Sequence, residues 1–171
     1  MTKEELKNSI IEISKLTGTF KLRSGLESQV YFDKYRFESQ PQILKQIGIH
    51  MAPLIPEGTE ILAGLEMGGI PIATAISLET GIPVAFIRKE AKDYGTCKFA
   101  EGCEIKGKKL CIVEDVITTG GQVVLSTQDL RSEGAIVNDV VSVIYRGKGP
   151  ATRIADINLS FDHLFNFSDL T

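Results

Sequence analysis

The chain has 171 residues, of which 43% are hydrophobic and 24% are charged, and its formal net charge is −3. This length and composition predict one globular domain with a sizeable core, and no apolar run approaches the roughly 20 residues of a membrane-spanning helix. The slightly acidic balance argues against nonspecific binding to nucleic acid or to an anionic membrane surface, because both favour a basic face.

The N-terminal part of the chain has two predicted helices separated by an irregular segment. Thr2 and Glu5 form a capping-box pattern, and apolar residues at helical spacing follow, with the helix expected to end near Gly18. Residues 20–37 mix aromatic, basic and turn residues without a clear period. A second amphipathic helix is predicted to begin near Pro41, because proline is favoured in the first turn of a helix.

From residue 60 onwards, short apolar runs alternate with helical patterns. Strands are predicted at residues 60–64, 83–87, 109–114, 137–145 and 158–161, and helices at 70–79 and 121–133. The polar connection 88–107 shows no period. This alternation predicts βαβ units and an α/β fold with a five-stranded, mainly parallel sheet flanked by helices. We expect one domain over residues 1–171, with a core at 38–145 and a small hood built from 1–37 and 146–171.

One segment, LCIVEDVITTGGQ at residues 110–122, joins an apolar strand to two acids and then to a turn rich in hydroxyl groups and glycines. In an open parallel sheet, ligands bind beyond the carboxyl ends of the strands. The turn precedes a predicted helix, whose free N–H groups and dipole favour a phosphate group. Glu114 and Asp115 would repel that phosphate, but they are suited to accept hydrogen bonds from sugar hydroxyls or to face a cation. Each feature taken singly is also typical of an ordinary strand end and helix cap.

This segment resembles the 5-phosphoribosyl-1-pyrophosphate signature of the type I phosphoribosyltransferases. The resemblance implies that Glu114 and Asp115 hold the ribose hydroxyls, that Asp115 is catalytic, and that residues 118–122 surround the 5′-phosphate. The implied binding residues are Glu114, Asp115, Val116, Ile117, Thr118, Thr119, Gly120, Gly121 and Gln122. Gln122 departs from the family, which usually has a small or hydroxyl-bearing residue at this position, and it leaves only its main-chain amide for the contact.

Segments outside the signature resemble the orotate phosphoribosyltransferases, and this likeness extends over nearly the whole chain. Residues 18–33 resemble the N-terminal base-binding segment of those enzymes, with Arg23 where many bacterial members have lysine. Arg146, at the end of a predicted strand, matches the arginine that holds the carboxylate or ring oxygens of orotate. Tyr145 stands where an aspartate is often found. Taken singly, either arginine is also explained as an ordinary surface cation.

Residues 64–71 resemble the loop of this family that contacts pyrophosphate. Paired glycines let main-chain amides approach an anion closely, and the implied contacts are Glu66, Met67, Gly68 and Gly69. Many bacterial relatives have a lysine in place of Gly68, so this chain is expected to rely on main-chain groups there. Close packing of the following helix against the sheet is an alternative explanation for the glycines.

Residues 88–96 place several cations just beyond a predicted strand end. Because the reaction of this family expels pyrophosphate, cations on a closing loop would stabilise the charge that develops on the leaving group. The resemblance implies that Arg88, Lys89 and Lys92 bind pyrophosphate and that Lys92 is catalytic. It also implies that the loop reaches into the neighbouring subunit of a homodimer with shared active sites. Tyr94 replaces a histidine found in many bacterial members, and a solvated charged loop is the alternative.

The function implied by this resemblance is transfer of the 5-phosphoribosyl group from 5-phosphoribosyl-1-pyrophosphate to orotate. Mg²⁺ is the implied cofactor, held mainly by the substrate and by water rather than by a certain set of side chains. The orotate-binding residues are expected to be Arg23, Tyr31, Phe32, Thr118 and Arg146. Two alternatives stay open: a phosphoribosyltransferase for another base, such as a purine, and a regulator of the same fold that senses 5-phosphoribosyl-1-pyrophosphate without turnover.

The three cysteines bear on the compartment in which the protein works. Cys97, Cys103 and Cys111 are odd in number and lack C-x-x-C spacing, so neither a disulfide framework nor a zinc site is expected. Residues 1–5 do not have the pattern of a signal peptide. A cytoplasmic protein without nucleic-acid or membrane partners is therefore predicted.

Overall fold

The computed structural model describes residues 1–21, 25, 27–89 and 99–170. The helices are α1 (Lys3–Ser14), α2 (Lys34–Glu38), α3 (Pro41–Met51), α4 (Gly69–Thr80), α5 (Gly121–Ser132) and α6 (Thr152–Ala155). The strands are β1 (Lys15–Lys21), β2 (Glu27–Phe32), β3 (Ile61–Leu65), β4 (Val84–Ile87), β5 (Ala100–Glu101), β6 (Lys109–Ile117), β7 (Ile136–Tyr145) and β8 (Ser160–Asn166). Two short 3-10 helices span Ala52–Leu54 and Phe167–Leu170.

The central sheet has six strands in the order β5-β4-β3-β6-β7-β8. Strands β4, β3, β6, β7 and β8 pair in parallel with their neighbours in this order. Strand β5, at the edge, pairs with β4 in the antiparallel sense. The predicted α/β fold with a mainly parallel sheet is therefore confirmed. The prediction of five strands missed β5, because two residues are too short to show any hydrophobic period.

Two hydrophobic clusters cover the two faces of this sheet. Leu62 of β3 belongs to a cluster with residues of α1, α3 and α4, whereas its neighbour Ala63 belongs to a cluster with residues of α5 and α6. All five residues of β3 are buried, as expected for a central strand of a parallel sheet. Helices on both faces therefore leave the strand ends as the accessible part of the sheet.

The N-terminal segment differs most from the prediction. Helix α1 has the predicted capping box at Thr2, with Glu5 N donating to Thr2 Oγ1 at 3.2 Å, but it ends at Ser14 rather than near Gly18. Strands β1 and β2 then form an antiparallel hairpin, and α2 follows directly. The prediction of an irregular segment at 20–37 was wrong, because β1 and β2 contain no fully buried residue and therefore have only a weak hydrophobic period.

The C-terminal segment returns to the central sheet. Strand β8 pairs in parallel with β7, beyond the predicted limits of 158–161, and the 3-10 helix after it places buried Leu170 in the cluster that contains Leu6 of α1. The division into a core at 38–145 and a hood at 1–37 and 146–171 stays a prediction, although β8 lies in the sheet. Among the described residues, no helix is long and apolar enough to cross a membrane.

Candidate active site

Four connections meet at the carboxyl edge of the parallel strands, where ligands bind in sheets of this kind. Main-chain hydrogen bonds join them in pairs: Glu66 N donates to Ile87 O at 2.9 Å, and Arg146 N donates to Ile117 O at 2.7 Å. The sheet therefore brings the segments after β3, β4, β6 and β7 to one edge. Each of these segments contains residues that the sequence assigned to a site.

The segment after β6 forms a small cavity at this edge. Strand β6 continues to Ile117, beyond the predicted end at residue 114, so both acids lie within the strand. The cavity has a volume of about 190 Å³ and is lined by Glu114, Val116, Ile117, Thr118, Thr119, Gly120, Gly121, Gln122 and Val123. Thr118 and Thr119 are exposed, and no side chain caps the N-terminus of α5. Main-chain N–H groups at this helix end are suited to an anion.

Two residues of this loop have conformations that the motif did not indicate. Gly120 has a φ of 74°, and a Cβ there would lie 2.7 Å from Ile154 Cγ1, so glycine is required both by the backbone and by the neighbouring side chain. The side chain of Gln122, whose presence departs from the family pattern, donates to Ser126 Oγ at 3.3 Å on its own helix. Its main-chain amide is left at the cavity.

Asp115 does not line this cavity with Glu114. Its side chain is only 1% exposed and faces Lys34 of α2, with Lys34 Nζ 2.5 Å from Asp115 Oδ2. Asp115 Oδ1 accepts a hydrogen bond from Val116 N at 2.5 Å. Adjacent residues of a strand point to opposite sides, which accounts for the different surroundings of the two acids. Sequence reasoning did not assign Lys34 to the site.

Burial and mutual repulsion alter the proton affinities of the acids around Asp115. Burial, together with the Asp115 carboxylate, raises the pKa of Glu38 to about 9 and the pKa of Glu114 to about 8. Burial would lower the pKa of Lys34, but its hydrogen bond to Asp115 and the charge of that carboxylate raise it overall. Burial and the neighbouring carboxylate therefore make Glu38 and Glu114 hold a proton more strongly than free glutamates do.

The connection between β3 and α4 is packed tightly against β6. A Cβ on Gly68 would overlap Asp115 Oδ2, and a Cβ on Gly69 would overlap Val113 O. These glycines therefore allow close packing of the connection against the strand, which was the alternative explanation of the motif. The preceding Glu66–Met67 peptide bond is cis, and the Met67 side chain is exposed. The absence of lysine at position 68 has a steric reason, since any side chain there would displace Asp115.

The segment after β4 borders a second cavity, of about 440 Å³. The described residues that line it are Glu66, Met67, Ile70, Phe86, Ile87, Arg88 and Glu101. Arg88 Nε lies 3.4 Å from Glu101 Oε1 of β5, and Lys89 N donates to Glu66 Oε2 at 3.3 Å. Lys92 and Tyr94 lie outside the described residues.

The predicted base-binding residues lie on the hairpin and at the end of β7. Tyr31 is exposed and packs against Phe20, with ring centroids 5.5 Å apart. Phe32 contacts Phe167 edge-on at 5.4 Å, and the guanidinium carbon of Arg146 lies 4.2 Å from the centroid of the same Phe167 ring. Phe167 was not predicted to belong to the site, and Arg23 lies outside the described residues.

Comparison with known proteins agrees with these observations. A family model described as the phosphoribosyl transferase domain matches residues 37–162. A protein of Nocardioides sp. named orotate phosphoribosyltransferase is 49% identical over 147 residues, which cover 86% of this chain and 82% of that protein. The chain belongs to the orotate phosphoribosyltransferase family. The resemblance drawn from the signature and the N-terminal segment is thereby confirmed.

Solved structures of this family share the fold over almost their full length. An orotate phosphoribosyltransferase of Mycobacterium tuberculosis in complex with Fe(III) dicitrate has a TM-score of 0.89 and 30% identity, with 98% of each chain covered. The same protein in complex with 5-phospho-alpha-D-ribosyl 1-diphosphate has a TM-score of 0.84 and 27% identity, again with 98% of each chain covered. The individual residue assignments in this orotate phosphoribosyltransferase family member stay predictions.

Proposed function

We propose that the chain transfers the 5-phosphoribosyl group from 5-phosphoribosyl-1-pyrophosphate to orotate, which gives orotidine 5′-monophosphate and pyrophosphate in pyrimidine synthesis. The observation that carries this proposal is the cavity after β6, where Glu114 and the 118–122 turn meet an uncapped helix N-terminus in a member of this family. The neighbouring positions of Phe32 and Arg146 support orotate as the base.

In the proposed reaction, a ring nitrogen of orotate forms a bond to ribose C1 as the bond from C1 to pyrophosphate breaks, and the proton of that nitrogen passes to a pyrophosphate oxygen or to water. Main-chain N–H groups of the 118–122 turn bind the 5′-phosphate, and Glu114 accepts hydrogen bonds from the ribose hydroxyls. Arg146 binds the orotate carboxylate through its guanidinium group. Catalysis then consists of positioning and electrostatic stabilisation, with no covalent intermediate on the protein.

The role proposed for Asp115 in this reaction depends on the burial of its side chain. A ribose hydroxyl reaches the Asp115 carboxylate only if the contact with Lys34 or Gly68 opens. We therefore assign Asp115 a role in holding the end of β6 and Glu114 in the substrate-free protein, and direct sugar contact once the ligand is bound. Glu114, which already lines the cavity, is the acid expected to meet the ribose first.

The cations after β4 are proposed to act on the leaving group. Arg88, Lys89 and Lys92 bind pyrophosphate in this proposal, and Lys92 stabilises the negative charge that develops as it departs. The loop is proposed to serve the neighbouring subunit of a homodimer. We also propose a cytoplasmic location, on the basis of the cysteine pattern.

Mg²⁺ fits the donor chemistry of this edge as a substrate-borne ion. The described residues contain no group of three or more His, Cys, Asp and Glu side chains able to hold a metal ion. A carboxyl oxygen of Glu114 lies at the cavity, where it would accept hydrogen bonds from water bound to Mg²⁺. Positive charge that would offset the charge on pyrophosphate is the chemistry that Mg²⁺ would supply there.

The test follows the ultraviolet absorbance of orotate with purified protein, 5-phosphoribosyl-1-pyrophosphate and Mg²⁺. We expect loss of orotate that stops on addition of EDTA and that falls by at least roughly 100-fold in Lys92→Ala, as for loss of one transition-state contact. Lys7→Ala, which changes a lysine on α1, is the matched control and should keep full activity.

Three other outcomes would contradict parts of this proposal. Activity that survives Lys92→Ala keeps the enzyme and removes the role of Lys92. Turnover of adenine, hypoxanthine or uracil in place of orotate indicates another base. Binding of 5-phosphoribosyl-1-pyrophosphate by calorimetry, without turnover of any base, favours the regulator.

A further inference from the structure

Phe167 joins two residues that come from opposite ends of the chain. It begins the 3-10 helix Phe167–Leu170, and its ring contacts Phe32 of β2 edge-on, with an interplanar angle of 83°. The guanidinium carbon of Arg146 lies over the same ring, 4.2 Å from its centroid. A single aromatic side chain therefore touches two of the predicted orotate-binding residues.

This contact restricts an arginine that would otherwise be free. Arg146 is exposed, and no acidic side chain of the described ranges forms an ion pair with its guanidinium group. A long exposed side chain samples many rotamers, and ordering it on binding lowers affinity. Stacking on an aromatic ring reduces that cost and leaves the guanidinium N–H groups able to bind a planar carboxylate.

Neighbouring residues anchor the segment that contains Phe167. Phe165 and Leu170, two residues before and three residues after Phe167, are buried, and Asn166 N donates to Asp169 Oδ2 at 3.3 Å across the start of the 3-10 helix. On the other side of the contact, Tyr145 Oη donates to Gly149 O at 2.7 Å and closes the turn that contains Arg146. A hydrogen bond therefore restrains the chain beside each partner of the Arg146–Phe167 contact.

We propose that Phe167 is a positioning residue that fixes Arg146 and Phe32 for a planar, carboxylate-bearing base. This inference rests on the proposed function and adds to it a residue of the C-terminal segment that does not itself need to touch the reacting atoms. Phe167 acts through Arg146, so its loss weakens binding of the base and leaves binding of 5-phosphoribosyl-1-pyrophosphate unchanged.

The test compares KM values for the two substrates in Phe167→Leu, Phe167→Tyr and the wild-type protein. We expect Phe167→Leu to raise KM for orotate roughly 5- to 30-fold, which corresponds to loss of one favourable cation–π contact, with KM for 5-phosphoribosyl-1-pyrophosphate within about twofold. Phe167→Tyr keeps the aromatic face and should restore the wild-type KM. Leu78→Ala truncates an exposed apolar side chain of α4, away from these contacts, and is the control, with KM for orotate within about twofold.

A second arm separates positioning from general destabilisation. In an Arg146→Ala background, Phe167→Leu should change KM for orotate by less than about twofold, because the two residues act as a unit. Phe167→Met, which keeps volume without an aromatic face, replaces the leucine variant if the latter does not fold. An unchanged KM for orotate in folded Phe167→Leu, an equal rise for both substrates, or full additivity with Arg146→Ala overturns the inference. Absence of orotate turnover in the wild-type protein instead overturns the proposed function and removes the inference with it.

Discussion

Lys34 Nζ lies 2.5 Å from Oδ2 of buried Asp115, and this ion pair connects α2 to the end of β6. Helix α2 follows directly on β2, which contains the predicted base-binding residues Tyr31 and Phe32. The pair therefore links the helix after the hairpin that contains two predicted base-binding residues to the strand that contains Glu114 and Asp115. A change at Lys34 is expected to alter stability as well as substrate binding.

Lys34→Met leaves the Asp115 carboxylate buried without its cation. We expect the free energy of unfolding to fall by about 1–3 kcal/mol, the usual cost of an unpaired buried polar group, discounted because Lys34 is partly exposed. Urea denaturation measures the change. Lys108→Met, which breaks the exposed Lys108–Glu60 pair at 3.0 Å, should cost no more than about 1 kcal/mol. Equal effects of the two substitutions would show that the Asp115 pair is no stronger than a surface pair.

The raised pKa of Glu38 predicts a stability that depends on pH. Burial first, and Asp115 second, raise this pKa from 4.5 to about 9. The unfolded chain releases the proton at lower pH than the folded chain, so stability is fully present below the unfolded pKa of about 4.5 and falls as pH rises towards 9.

Glu38→Gln should flatten this decline between pH 6 and pH 9, measured as the urea midpoint at both values. Glu60→Gln is the control, because hydrogen bonds from Lys109 and Lys108 lower the pKa of Glu60. Titration of Glu60 therefore changes stability only at acidic pH. An equal fall of the urea midpoint between pH 6 and pH 9 in Glu38→Gln and in the wild-type protein would contradict the raised pKa of Glu38.

Gly68→Ala should destabilise the protein, because the added Cβ would overlap Asp115 Oδ2. Overpacking of this kind costs about 1–3 kcal/mol, read from the urea midpoint. Gly121→Ala is the matched control within the same edge of the sheet, since its Cβ would have no neighbour closer than 3.7 Å and its φ is not positive. That control should change stability by less than about 1 kcal/mol. A neutral Gly68→Ala variant would mean that Asp115 moves aside freely.

Arg131→Lys should lower the melting temperature. Arg131 Nη2 and Nε donate to Val137 O at 2.6 and 3.1 Å, and Nη1 donates to Ile157 O at 2.9 Å, so the guanidinium group joins α5 to β7 and to the residues before β8. A lysine cannot reach both carbonyls, and about 1–3 kcal/mol should be lost. Arg153→Lys, on the exposed surface of α6, is expected to change stability by less than about 0.5 kcal/mol. Identical melting temperatures for the two variants would rule out this role.

Strong local signals made much of the fold predictable. Helix α4 ends where Gly81 adopts a φ of 74°, and α5 begins beside the glycine pair of the signature, as expected from these residue types. The hairpin of β1 and β2 could not be predicted in this way, because its strands are largely exposed. Strand β5 and helix α2 are too short to impose a period.

The candidate site was predictable where it depends on strand ends and not where it depends on tertiary contacts. The signature acids and the 118–122 turn follow from a strand, a turn and a helix in sequence. Lys34, Glu38 and Phe167 belong to no local motif, and only folding brings them to the site. The sequence did contain an indication that Asp115 is buried. Adjacent residues of a strand face opposite sides, so Glu114 and Asp115 could not both face the same cavity.

The contact between Gly68 and Asp115 has an evolutionary consequence. The two positions share one small volume, so the effect of a substitution at one depends on the residue at the other. A lysine at position 68 is unfavourable while Asp115 keeps its present orientation. A prior change that moves the carboxylate away from position 68 would make the same lysine acceptable. The order of substitutions therefore determines which of the two forms of this loop a lineage can reach.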